Sequence, residues 1–164
     1  MRRSLSVLAL LVVLGMAIEA SQIPKPLLVW NVTASAPMGL YRRVFGTSER
    51  GSWVLVRMPK AVADLASQRR YLPRNVPMVK RIAALSGDIV CRAGAIVRIN
   101  NVVAATALAE DAQRRPLPAW QGCKVLSGDD VFLLNTPPLS FDSRYFGVVP
   151  RADLIERIEP LWTF

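Results

Sequence analysis

Ser35 and Lys80 are the side chains whose types and surroundings fit covalent chemistry best. The chain contains no histidine, which excludes a Ser-His-Asp triad, a Cys-His dyad and an HExxH zinc site. Two lone cysteines cannot fill a tetrahedral zinc shell. A hydrolase made from this sequence needs another base, and the remaining scheme is a serine whose proton passes to a neutral lysine amine. Of the four lysines, Lys25 lies between prolines, Lys60 opens a helical stretch and Lys124 follows Cys123. Only Lys80, in Val76-Pro77-Met78-Val79-Lys80-Arg81-Ile82-Ala83-Ala84-Leu85, has apolar neighbours on both sides. An amine acting near pH 7 must titrate about 3 units below its free value, at a cost on the order of 4 kcal/mol, and burial supplies such a shift. The alternative for Lys80 is a snorkelling lysine on a strand edge.

The nucleophile segment is Thr33-Ala34-Ser35-Ala36-Pro37-Met38-Gly39, a turn of small residues. Pro37 fixes φ locally and Gly39 permits close backbone approach, so the Ser35 hydroxyl can be presented rigidly at the floor of a cleft.

The elements that must position these residues read as β structure. Short apolar runs at Trp53–Val56, Asp88–Cys91, Ala95–Ile99 and Val131–Leu134 are separated by Gly, Pro, Asn or Asp and predict strands. Asn100-Asn101 has hairpin-turn chemistry, because Asn tolerates positive φ. Lys60 to Arg70, with Val62, Leu65 and Ala66 on one face and Leu72-Pro73 beyond it, predicts one short helix. Ala104 to Pro118, rich in charge and proline, predicts an exposed excursion from the sheet. The length of 164 residues, 52% of them hydrophobic, suits one core of ordinary size.

Met1-Arg2-Arg3 precedes an uncharged stretch from Ser4 to Ile18 that ends at Glu19. Such a stretch is an export or anchor segment. As helix it reaches about 22 Å against a hydrocarbon core of about 30 Å, so a cleaved signal and a snorkelling anchor both stand. The arginines before it place the N-terminus in the cytoplasm and the body outside. We divide the chain into a signal or anchor segment, residues 1–21, and a catalytic domain, residues 22–164. An oxidising compartment makes Cys91 and Cys123 natural disulfide partners, the alternative being two free thiols. The net charge of +9 is spread over scattered arginines with no run longer than two, so no nucleic-acid partner is expected.

Four segments in fixed order resemble the type I signal peptidase family of Ser/Lys proteases, most closely its conjugative-transfer, TraF-type branch. Asn31-Val32-Thr33-Ala34-Ser35-Ala36-Pro37-Met38-Gly39-Leu40-Tyr41 is similar to the serine box, and Arg50-Gly51-Ser52-Trp53-Val54-Leu55-Val56 to the strand after it. Lys80-Arg81-Ile82-Ala83-Ala84-Leu85-Ser86-Gly87-Asp88 is similar to the lysine box, and Ser140-Phe141-Asp142-Ser143-Arg144-Tyr145-Phe146-Gly147 to the C-terminal Asp-Ser-Arg box. The resemblance implies Ser35 as nucleophile and Lys80 as general base. It implies Thr33 as an oxyanion-hole hydroxyl, Ser140 as the serine that orients the lysine, and Asp142 paired with Arg144 or Arg81 as a brace. Gly87-Asp88 would shape the turn after the lysine strand. Two departures, Asn135-Thr136-Pro137-Pro138-Leu139 in place of Gly-Asp-Asn-Arg and Ser-Ala-Pro-Met-Gly in the serine box, point away from a housekeeping leader peptidase.

The resulting expectation is a mainly β, signal-peptidase-like antiparallel fold with one short helix and an N-terminal apolar membrane helix. Its activity would be that of a serine endopeptidase on the periplasmic face of the inner membrane. The substrate would be an exported protein precursor, a pilin-like subunit of a conjugative transfer system, with cyclisation as one fate of the acyl-enzyme. The route needs no metal or organic cofactor. The alternatives are a general type I signal peptidase and a non-catalytic envelope assembly component.

Overall fold

The computed structural model describes residues 27–164; the expected anchor segment, residues 1–21, lies outside them. The chain forms strands β1 (Leu28–Asn31), β2 (Gly39–Arg43) and β3 (Trp53–Val56), helix α1 (Lys60–Gln68), then β4 (Met78–Ala84), β5 (Ile89–Ala93), β6 (Ile96–Ile99), β7 (Val102–Thr106), β8 (Gly122–Val125) and β9 (Asp130–Leu133). A one-turn helix α2 (Ser143–Phe146), β10 (Val149–Pro150), a 3₁₀ turn (Arg151–Asp153) and β11 (Leu154–Thr163) complete it. The strands make a seven-stranded sheet ordered β1-β2-β11-β3-β4-β9-β10 and a four-stranded sheet ordered β7-β6-β5-β8. Every pairing is antiparallel. The mainly β antiparallel fold is therefore as expected, with two helices where one was expected. Among the described residues no helix is long and apolar enough to cross a membrane.

β3 shows why an unbroken apolar run can be a strand. Val54 and Val56 pack in a cluster with Ala63 and Ala66 of α1 and with Met78, Ile82, Val131 and Leu133. Leu55, pointing the other way, packs with Ala36, Tyr41, Val79 and Ile158. Both faces are covered, so neither needs polar residues. A further cluster of Ala84, Val90, Val97, Ile99, Leu126 and Phe132 joins the small sheet to the large one.

Asn100 and Asn101 carry φ of 50° and 66° and close the β6–β7 hairpin, as their residue type predicts. Helix α1 stops short of Arg70, which takes a φ of 60° while the Tyr71 amide donates to the Ala66 carbonyl at 2.8 Å. Cys91 and Cys123 stand opposite one another in the β5–β8 register and are joined by a disulfide. The excursion from Ala104 to Pro118 is mostly exposed, as expected, but it is tied down at particular points. Its first residues belong to β7, Ala107 is buried, and Asp111 accepts from the Tyr71 hydroxyl and from Arg115 Nε at 2.7 Å. These polar groups pin the exposed loop to the chain leaving α1, where its inner side walls a cleft.

Candidate active site

The turn between β1 and β2 carries Ser35, and its shape comes from the Asn31 carboxamide. Asn31 Nδ2 donates to the carbonyls of Thr33 (3.0 Å), Ala36 (3.2 Å) and Pro37 (3.0 Å), and Oδ1 accepts from the Thr33 amide (3.1 Å) and hydroxyl (2.8 Å). One buried side chain thus replaces the ladder bonds that the turn cannot make with itself. Gly39, at φ 139°, follows directly. A Cβ there would collide with the carbonyl of Trp162, so the close approach allowed by glycine is to β11.

Thr33 Oγ1 and Ser35 Oγ lie 3.2 Å apart. The Thr33 hydrogen is engaged by Asn31, so Ser35 donates to Thr33. The resting chain of donors therefore runs Ser35, Thr33, Asn31.

Lys80 sits at the middle of β4 and is 2% exposed. Strand alternation puts it on the face of Met78 and Ile82. Its Nζ donates to Ser140 Oγ at 2.9 Å. Burial lowers its pKa from 10.5 to about 8; the Asp142 carboxylate opposes the shift and the Arg144 guanidinium adds to it. The depression expected from sequence is thus present, and so is the hydroxyl that meets the amine.

Of the two arginines offered to Asp142, the structure selects Arg144. Its Nε reaches Asp142 Oδ1 at 2.8 Å and its Nη2 reaches Oδ2 at 3.0 Å, a bidentate pair with both side chains buried. Arg81 points elsewhere, donating to the Gly51 carbonyl at 2.7 Å and lying over the Trp53 ring. Asp142 also caps α2, accepting from the Arg144 amide at 3.2 Å. Gly87, at φ 89°, turns the chain after β4. Asp88 ties that turn to the Leu85 amide (2.8 Å), Asn100 (2.8 Å) and Arg50.

Ser35, Thr33 and Lys80 line one cleft of about 530 Å³, walled by apolar side chains that include Val29, Met78 and, from the loop after β7, Leu108. Among the described residues no cluster of three or more Cys, Asp or Glu is placed to hold a metal ion. The cleft can receive an extended peptide against a hydroxyl and a desolvated amine. Sequence reasoning did not single out Asn31 or Asn135. The first opens the serine box and acts within its own turn; the second stands in the segment noted only for departing from the family pattern, and no local signal marks a carboxamide whose partners lie far along the chain.

The family model described as "Signal peptidase, peptidase S26" matches residues 2–162. This chain belongs to the signal peptidase family. The peptidase is 34% identical over 145 residues to an Escherichia coli protein named plasmid transfer protein TraF, covering 82% of each chain. It is 34% identical over 144 residues to a conjugal transfer protein TraF of Agrobacterium fabrum, covering 82% of this chain and 81% of that one. Among solved structures, a signal peptidase I from Enterococcus faecalis superposes with a TM-score of 0.42 at 20% identity, over 71% of this chain and all of that one.

Proposed function

We propose that this peptidase is a Ser/Lys endopeptidase that forms an acyl-enzyme on Ser35, with Lys80 as the base. The observation that carries the reading is Lys80: a buried amine, titrating near 8, held by Ser140 in the cleft that also receives Ser35. At neutral pH an amine of this kind has a usable unprotonated fraction, which an exposed lysine lacks. Substrate entry turns the Ser35 hydroxyl from Thr33 toward the amine. Lys80 takes the proton as Ser35 Oγ attacks the scissile carbonyl. The oxyanion is held by the Ser35 N–H and by the Thr33 hydroxyl, which leaves Asn31 to do so. The lysine ammonium then protonates the leaving amine, and water resolves the ester. Ser140 orients Lys80, and the Asp142–Arg144 pair braces the loop that carries it.

The TraF names of the relatives support a role in conjugative transfer. The substrate we assign is an exported pilin-like precursor, cut on the periplasmic face of the inner membrane by a body anchored by, or exported through, the N-terminal apolar segment. A tethered substrate amine at high effective concentration can replace water as the second nucleophile, which gives a cyclic product. The test is a co-expressed pilin-like precursor read by intact mass with wild type, Ser35→Ala and Lys80→Ala. Loss of processing in both folded variants is expected, and a product one water lighter than the linear peptide reports cyclisation. Normal processing by both variants overturns the assignment. The family match also supports a broader reading, removal of signal peptides from many preproteins; turnover of a panel of secretory precursors would establish that one instead.

A further inference from the structure

Asn135 lies 3% exposed, just beyond the end of β9, and every polar atom of its side chain is used. Nδ2 donates to the carbonyl of Ser35 at 2.6 Å and to the carbonyl of Val79 at 3.1 Å, and Oδ1 accepts from the Arg81 amide at 2.9 Å. Val79 and Arg81 flank Lys80. Their backbone groups point to the edge of β4 away from β3, since the intervening register bonds of Ile82 go to Gly51 and Ser52. On that edge β9 pairs with β4 at Ile82 and Ala84, and the Leu134 amide donates to the Arg81 carbonyl at 3.0 Å. The carboxamide therefore stands where the next peptide group of β9 would lie, and continues the ladder along the lysine strand. It then spends its remaining hydrogen on the residue that carries the nucleophile.

The backbone of Asn135 is held from the other side. Its amide donates to Asp142 Oδ2 at 3.1 Å, and its carbonyl accepts from Arg144 Nη2 at 2.6 Å. The buried Asp142–Arg144 ion pair thus grips Asn135, and Asn135 grips both the serine turn and the lysine strand. We infer that Asn135 is a positioning residue that sets the separation and orientation of Ser35 relative to Lys80, and that the Asp142–Arg144 pair acts on the nucleophile through it. The inference rests on the Ser/Lys reading above. It concerns placement, because a misplacement of about 1 Å at reacting atoms reduces turnover by about a hundredfold.

The test compares Asn135→Ala and Asn135→Asp with wild type and Ser35→Ala, on a peptide spanning the precursor's cleavage site. Asn135→Ala removes all three side-chain bonds; Asn135→Asp keeps the acceptor for the Arg81 amide but loses the donors, and turns oxygen toward the Ser35 and Val79 carbonyls. In each folded variant kcat should fall by about tenfold to a hundredfold while KM stays within about twofold. In Asn135→Ala, which introduces no charge, the pH midpoint of kcat should stay where wild type has it. A structural role alone lowers the amount of folded enzyme, read from its thermal melt, and leaves turnover per folded molecule unchanged. Wild-type kcat in either folded variant, a change in KM alone, or failure of both variants to fold overturns the inference. Full activity of Ser35→Ala sinks the Ser/Lys reading itself, so the two failures are told apart.

Discussion

Replacing Lys80 by methionine should make the protein inactive and more stable. The wild-type amine is 2% exposed and titrates at about 8 instead of 10.5, and at about 1.4 kcal/mol per pH unit this depression is worth about 3 kcal/mol. The folded state thus holds fewer protons than the unfolded chain between pH 8 and pH 10.5, and stability rises with pH across that window. Below pH 8 the burial penalty is present in full; above 10.5 it is gone. Methionine fills a similar volume without charge and gives up the hydrogen bond to Ser140, worth about 1 kcal/mol. The expected net gain at neutral pH is about 2 kcal/mol, or about 4 to 8 °C in Tm for a chain of this size. Paired thermal melts of wild type and Lys80→Met from neutral to strongly alkaline pH read it directly. The gap should be widest at neutral pH and should close as the wild-type amine loses its proton. A methionine variant less stable than wild type at neutral pH, or a gap that does not narrow with rising pH, would refute the claim that Lys80 is held in the fold against its own desolvation.

The pH profile of wild-type kcat/KM should rise about tenfold between about pH 7 and about pH 9, following a single basic group; a flat profile is incompatible with a neutral amine as base. Thr33→Val removes the hydroxyl beside Ser35 and should lower kcat by about a hundredfold with the fold intact. Unchanged turnover in that variant would remove Thr33 from the oxyanion hole. Opening the Cys91–Cys123 bridge, which spans 32 residues, should cost about 3 to 4 kcal/mol in denaturant titrations run with and without reductant. Coincident curves would mean that the two strands hold their register without it.

The burial of Lys80 was legible because lysine is scarce here and the residues around it are apolar. The place of Ser35 in a turn on the cleft was legible through its small neighbours, and the Asn100-Asn101 turn through a conformation few other residues accept. β11 was not, because Glu156, Glu159 and Pro160 interrupt any apolar pattern; the sheet absorbs the proline with a register shift between Pro160 and Trp162. β8 was hidden because all four of its residues are exposed. The tether of the loop after β7 was hidden because its charges could be seen and their partners near α1 could not. Asn31 and Asn135 escaped for the opposite reasons. One acts within its own turn, where asparagine is common, and the other acts on a residue 100 positions away, a distance at which sequence pattern carries no information.

The place of β11 bears on when the enzyme can first work. In the large sheet it lies between β2, which continues from the serine turn, and β3, which carries the lysine strand on its far side. The hairpin bearing Ser35 therefore has no ladder to the rest of the sheet until residues 154–163 are in place. A ribosome that has already made Ser35, Lys80 and the Asp142–Arg144 pair has still not made the strand that ties the Ser35 hairpin into the sheet. A chain cut short before β11 keeps the Asn135 bonds between the serine turn and the lysine strand but lacks the ladder that holds their hairpin in the sheet.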